Sequence, residues 1–252
     1  EIARAVEVVA VELARLLGGT ETLGERLLFT CIWGFAAASG AALAARFTTR
    51  PRVAALLGIA VALNPYTLIA QPNPLPIITL GVAAAVTTLC VDAARGARSR
   101  PIAMALLTVP CSYVSLNPPL LALLAATVAL QPVVAPLLAD SGRGGSRRVL
   151  RLLLRSLPLS ITLGVWWAVP AFIAIRHADP GTVGAVTDVS AWSWTHARSS
   201  IPNVVSLFGH WSWPRPEYYG SVVGLERLPW SLLRWVLPLL AVMSPIVSKR
   251  SQ

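Results

Sequence analysis

The sequence predicts an all-α fold, a polytopic membrane helical bundle with about seven spans. Two stretches decide this prediction, because residues 53–91 and 101–139 each run for 39 residues without an Asp, Glu, Lys or Arg. A helix rises roughly 1.5 Å per residue, so each stretch is too long for one crossing of a hydrocarbon core about 30 Å thick and suits two crossings. The composition agrees, since 55% of the residues are hydrophobic and 13% are charged, whereas a soluble domain carries about 25% charge.

The apolar segments predict the elements in chain order. Residues 1–22 carry charged and apolar side chains on opposite helical faces, which predicts an amphipathic helix at the outer surface. Thr22 and Glu25 have capping-box spacing and predict the start of the first span. A six-span bundle then occupies residues 23–175, an outer aromatic segment 176–228 and a last span 229–247. The seven predicted spans are 27–45, 53–70, 75–91, 101–115, 118–139, 157–175 and 229–247.

Asn-Pro steps interrupt both uncharged stretches, at Asn64 with Pro65 and at Asn117 with Pro118. Proline lacks a backbone donor and disfavours the helical conformation of the residue before it. Each stretch is therefore predicted to fold back as a helical hairpin with both ends on the same side of the membrane.

The charges indicate which side that is. Residues 46–52, 92–100, 140–155 and the C-terminal tail hold thirteen basic residues and only two acidic ones, Asp92 and Asp140. Basic loops stay in the cytoplasm, so the C-terminus is predicted to be cytoplasmic, with the N-terminal segment and the aromatic segment outside. The net charge of +10 is thereby explained by topology, and no nucleic-acid partner is predicted.

The loop at 140–155 predicts a glycine-containing turn followed by a basic amphipathic helix. Its arginines can meet anionic headgroups, which makes membrane lipid a predicted partner. They are Arg147, Arg148, Arg151 and Arg155. The glycines lack the Lys-Ser/Thr end of a phosphate-binding loop, and neither a nucleotide site nor another cofactor site is predicted.

The three cysteines, Cys31, Cys90 and Cys111, all fall inside predicted spans and lack the spacing of metal ligands. They predict neither a disulfide framework nor a metal site. The chain also begins at Glu1, on the predicted outer side, without an earlier span that would bring it there. A fragment of a longer protein is therefore expected.

Aromatic and cationic residues cluster together in the outer segment. Two interpretations are open: the tryptophans belong to an aromatic belt at the membrane interface, or the cluster binds a carbohydrate or a polyprenyl phosphate. In the second case, Trp192, Trp194, Trp211 and Trp213 would cover sugar or prenyl groups, and Arg198, His196 and Arg215 would contact phosphate or hydroxyl groups. The full candidate site is Trp192, Trp194, His196, Arg198, His210, Trp211, Trp213, Arg215 and Tyr218.

Several strings, in this order, carry a family resemblance: ERLLF, RFTTRPR, ALNPYTLIAQ, SLNPP and LPLSITLGVWWAVPAFI. The WW-x-VP step, at Trp166, Trp167, Val169 and Pro170, is the most telling. Residues 1–230 resemble the membrane region of actinobacterial arabinofuranosyltransferases, which are GT-C glycosyltransferases. The greatest similarity is to the N-terminal GT-C domain of the α-(1→3)-arabinofuranosyltransferase family.

The resemblance implies a GT-C-like fold in the plasma membrane. It also implies transfer of a sugar, arabinofuranose, from a polyprenyl-phosphate donor to cell-wall arabinan or a related glycan on the outer face. In that family the catalytic acid lies in the first outer loop, and no residue of this chain matches it, so no catalytic residue is assigned. A non-enzymatic lipid-linked saccharide flippase or a transporter subunit is the alternative.

Overall fold

The computed structural model describes residues 5–64, 67, 74–114 and 118–177, together with Leu232, Trp235 and Leu239. Every regular element in these residues is helical, which confirms the predicted all-α class. The helices are α1 Ala5–Leu16, α2 Glu21–Ala44, α3 Pro51–Ala62, α4 Leu75–Ala94, α5 Pro101–Leu106, α6 Thr108–Val114, α7 Pro118–Leu138 and α8 Gly142–Arg176.

The chain divides into two units, one of residues 1–62 and 73–177 and the other of residues 63–72 and 178–252. In the second unit, the Thr67 backbone N–H donates to Asn64 Oδ1 at 3.1 Å, and its hydroxyl donates to the Asn64 carbonyl at 2.9 Å. The first unit contains all the helices named above, and its architecture is described below.

Four helices in the described residues are long and apolar enough to cross a membrane: Glu21–Ala44, Leu75–Ala94, Leu120–Leu138 and Gly142–Pro170. Their positions match four of the predicted spans within a few residues, except that the last extends much further toward the N-terminus. Large apolar side chains are exposed on these helices, among them Leu137 at 76% and Phe172 at 64%. Such a surface is consistent with a membrane protein.

Helix α4 forms the core of the first unit. It packs against α2, α6, α7 and α8, and its side chains are buried on nearly every face. Ile77, Cys90 and Val91 are fully buried there. A helix that is apolar all round suits this central position.

Helices α2 and α3 pack closely through small residues. A Cβ atom added to Gly58 of α3 would collide with the Ala37 carbonyl and lie 2.7 Å from Ala41 Cβ. Likewise, one added to Gly40 of α2 would lie 2.9 Å from Val61 Cβ. The two backbones can approach this closely only because these positions lack side chains.

The start of α2 corrects one prediction. Thr20 is the N-cap, and its hydroxyl accepts a hydrogen bond from the Leu23 backbone N–H at 3.3 Å. Thr22 lies inside the first turn, so the capping box predicted at Thr22 and Glu25 was wrong. The helix begins earlier because Glu21, which suits the positive end of the helix dipole, extends its first turn.

Two other segments differ from their predicted form. The predicted span at 101–115 is divided into α5 and α6 at Leu107. Pro110 explains the break, because it cannot donate to the Leu106 carbonyl one turn earlier. In contrast, α8 is one helix of 35 residues that joins the predicted basic helix to the predicted span. Pro158 and Pro170 lie inside it without ending it.

Candidate functional site

The sequence-predicted site residues, from Trp192 to Tyr218, all lie outside the described residues, and their assignment stays a prediction. The same is true of the aromatic-belt interpretation of this segment. The described residues carry two other features with chemical character, both in the first unit. One is a polar cluster at the basic end of the helices, and the other is a group of apolar cavities.

An ion pair between Arg46 and Asp92 forms the centre of the polar cluster. Arg46 Nε donates to Asp92 Oδ1 at 2.5 Å, and Arg46 Nη2 donates to Asp92 Oδ2 at 2.7 Å. These hydrogen bonds raise the pKa of Arg46 above its ordinary value, although partial burial opposes the rise. The pair joins the residues that follow α2 to the last turn of α4.

Arg95 extends the cluster over the same connection. Its Nη1 donates to the Arg46 carbonyl at 2.8 Å, and its guanidinium lies 5.5 Å from the centre of the Phe47 ring. This distance is within the range of a cation–π contact. The link between α2 and α3 is therefore fixed to the end of α4 by one ion pair, one backbone contact and one aromatic contact.

Arg148 of α8 caps the C-terminus of α4. Its Nη2 donates to the Ala94 carbonyl at 2.5 Å, and its Nε lies 3.2 Å from the carbonyls of both Ala93 and Ala94. A helix leaves its last carbonyls without internal partners, and a cation there also suits the negative end of the helix dipole. Arg148 was predicted, with its neighbours, to meet lipid headgroups; that stays a prediction, and the structure shows that the side chain also makes this capping contact.

A cavity of about 330 Å³ lies among α4, α5, α6, α7 and α8. Most of its lining is apolar, with Val86, Leu124 and Leu153 among the buried or partly buried residues that face it. Polar character comes from three hydroxyl side chains, Thr108, Ser156 and Ser160, and from the Trp167 indole. Cavities of this size and composition are typical of sites for apolar ligands.

A second cavity, of about 410 Å³, shares part of this wall. Thr108, Ser160 and Trp167 line both cavities. Gly164 of α8 lines the second cavity, and its lack of a side chain leaves space beside Thr108 and Trp167. Trp167 Nε1 is buried and has no hydrogen-bond partner among the described residues. A buried N–H without an acceptor is unfavourable, so an oxygen atom of a bound molecule would satisfy it.

A third cavity, of about 500 Å³, lies between α2, α4 and the α5–α6 segment. Its lining includes Phe35, Ile78 and Pro110, and it is almost wholly apolar. Cys31 also lines it, and all three cysteines are free. The described residues contain no group of three His, Cys, Asp or Glu side chains that could hold a metal ion.

Neither the polar cluster nor the cavities were predicted from the sequence, because both depend on contacts between segments that are distant in the chain. Arg46 and Asp92 were assigned to separate loops, and Ser160 and Trp167 to a lipid-embedded span. One signal could have revealed the ion pair, because Asp92 is a rare carboxylate among the basic residues of that side. The cavities have no comparable signal, since they depend on how several helices pack.

No family model, no curated protein and no solved structure matches this chain.

Proposed function

We propose that the chain is part of a GT-C membrane glycosyltransferase. It would move a sugar, arabinofuranose, from a polyprenyl-phosphate donor to cell-wall arabinan or a related glycan on the outer face of the plasma membrane. The observation that carries this proposal is the order of sequence strings that resemble that family, above all the WW-x-VP step at Trp166 and Trp167.

The proposed topology contains more spans than the four long apolar helices that the structure describes. Seven spans and a cytoplasmic C-terminus are proposed from the apolar segments and from the side on which arginines collect, and the GT-C-like arrangement is proposed from the resemblance alone. The Arg46–Asp92 cluster would then lie at the cytoplasmic end of the first unit.

The cavities on α8 support a lipid-linked substrate. Trp167 belongs to the WW-x-VP step and lines both apolar cavities next to Ser160. An apolar cavity suits a prenyl chain, and the indole N–H, which has no partner among the described residues, suits a phosphate oxygen at the head of that chain. Independently of these cavities, the sequence alone leads us to propose Arg198 and Arg215 as partners of the donor phosphate.

Photo-crosslinking of the full-length protein tests this proposal. A polyprenyl-phosphoryl arabinose with a photoreactive group in its prenyl chain should label the α8 peptide that contains Trp167. A second probe with the group on the sugar should label residues 192–218. Labelling of neither region would refute the site. Labelling with no transfer of arabinose to an arabinan acceptor would refute the reaction.

A lipid-linked saccharide flippase or transporter subunit is the second candidate, and one observation favours it. The break between α5 and α6 at Leu107 lies beside the cavities, and interrupted helices frequently form substrate sites in transporters. Proteoliposomes distinguish the two functions. A transferase consumes the lipid-linked donor and elongates the acceptor, whereas a flippase moves the intact donor between leaflets.

A further inference from the structure

The outward face of α8 carries a row of arginines. Arg143, Arg147, Arg151 and Arg155 are spaced four residues apart, so they lie along one side of the helix. We call these four residues the arginine row. All four are exposed, whereas Val149 and Leu152 on the opposite side are buried at 0% and 1% exposure. The row therefore faces away from the bundle.

The guanidinium groups of the row have no partner within the described part of the chain. None of them donates a hydrogen bond or forms an ion pair there, in contrast to Arg148. Helix α8 itself contains no acidic residue. Four neighbouring exposed cations with no ion-pair partner among the described residues repel one another, which favours the approach of an anion.

The same face of α8 becomes apolar directly beyond the row. Ile161, Val165 and Phe172 are 58%, 48% and 64% exposed, and they continue the outward side of the helix. Arg147 and Arg155 are separated by about 12 Å along the helix axis, so the row extends beyond the roughly 5–8 Å that one headgroup layer adds to the hydrocarbon core. A helix that passes from the hydrocarbon core into the headgroup layer would show this change from apolar side chains to arginines.

We propose that the arginine row binds the phosphate groups of anionic phospholipids in the adjacent leaflet. Guanidinium groups pair with phosphate oxygens through two parallel hydrogen bonds. The acyl chains of the bound lipids would then lie along Leu154 and Ile161. Arg148 supports this site indirectly, because its contact with α4 fixes the rotation of α8 that turns the row outward. The inference does not depend on the proposed sugar transfer.

A photoreactive lipid tests the proposal on the unaltered protein. The chain would be reconstituted in nanodiscs with phosphatidylglycerol or phosphatidylcholine that carries a diazirine in the acyl chain. We expect the anionic lipid to label the α8 peptide around Leu154 about ten-fold more than the neutral lipid does. Excess soluble glycerol phosphate should not reduce this labelling. Equal labelling by both lipids, or complete competition by glycerol phosphate, would overturn the proposal.

A matched pair of variants distinguishes lipid binding at the arginine row from a general effect of positive charge. Arg147→Gln, Arg151→Gln and Arg155→Gln together should reduce labelling by the anionic lipid to the level of the neutral lipid. The control variant, Arg50→Gln with Arg52→Gln and Arg98→Gln, removes the same charge from exposed residues in the other basic connections, and its labelling should be unchanged. An equal loss in both variants would show that only the net charge matters and would contradict the proposal.

Discussion

Arg46 and Asp92 are 46 positions apart in the sequence and form a two-point ion pair, with N···O distances of 2.5 and 2.7 Å. Their side chains are only 28% and 16% exposed. Water therefore screens this pair less than it screens a surface pair. The pair fixes the connection after α2 to the last turn of α4, the central helix of the first unit.

Replacement of Asp92 by Asn should destabilise the protein. The change leaves the partly buried Arg46 guanidinium without its counter-charge, which should lower the free energy of unfolding by about 1–3 kcal/mol. The loss of helical circular dichroism on heating in detergent measures this effect. If Asp92→Asn unfolds at the temperature of the unaltered protein, the pair does not stabilise the fold.

The control for that variant is Glu12→Gln. Glu12 pairs with Arg15 at 2.6 Å, but both side chains are about half exposed, at 54% and 49%. Exposed pairs contribute little, so this variant should unfold with the unaltered protein. The double variant Arg46→Gln with Asp92→Asn should lose less stability than the sum of the two single variants, because the two residues act as one unit.

Neighbouring arginines on α8 should differ in their effect on stability. Arg148→Gln removes the cap on the Ala93 and Ala94 carbonyls and should cost about 1 kcal/mol. Arg147→Gln changes an exposed side chain that has no partner among the described residues, and it should leave the unfolding temperature unchanged in neutral detergent. The same melting experiment compares the two, and an equal shift would contradict the capping role.

The helix positions were more predictable than the contacts between helices. Helices α4 and α7 begin at Leu75 and Pro118, where the uncharged stretches placed them, because hydropathy and proline positions act locally. The continuity of α8 was not predictable in this way. A change from arginine to apolar residues marks a change of environment, and a helix can pass through it without a break.

The polar cluster and the cavities depend on long-range packing. The Arg46–Asp92 pair requires α2 and α4 to be neighbours, and the cavity beside Trp167 requires the break at Leu107 to face α8. The rarity of Asp92 among basic residues indicates a paired carboxylate but does not identify its partner, and no local signal places the break at Leu107 beside α8. The predicted aromatic site, from Trp192 to Tyr218, lies outside the described residues and remains a prediction.

Glycine positions on α2 and α3 should respond oppositely to alanine. Gly58→Ala would drive a methyl group into the α2 backbone, and we expect a loss of about 1–3 kcal/mol as the helices separate. A Cβ atom at Gly34 would have no neighbour within 4 Å. Gly34→Ala should therefore raise helix stability by up to about 1 kcal/mol. Similar melting temperatures for the two variants would show that α2 and α3 are not in close contact.

Cysteine labelling tests the proposed topology. In a background without Cys31, Cys90 and Cys111, Arg98→Cys should react with an impermeant maleimide only after the cells are permeabilised. Trp194→Cys should react in intact cells. The reason is that basic connections are retained in the cytoplasm. Labelling of Arg98→Cys from outside would reverse the orientation, and the outer aromatic site would be lost with it.

Trp166 and Trp167 are adjacent and should differ in substrate binding. Trp167 lines both cavities with a buried N–H that has no partner among the described residues, whereas Trp166 is 43% exposed and is absent from both linings. Trp167→Phe keeps an aromatic ring and removes the N–H. If a lipid-linked donor accepts a hydrogen bond from that group, crosslinking of the donor should fall about five-fold, which corresponds to one hydrogen bond.

Trp166→Phe should crosslink like the unaltered protein. In the absence of donor, Trp167→Phe should unfold no earlier, because it removes a buried donor that has no acceptor. Equal crosslinking by the two variants would exclude a hydrogen bond from Trp167 to the donor.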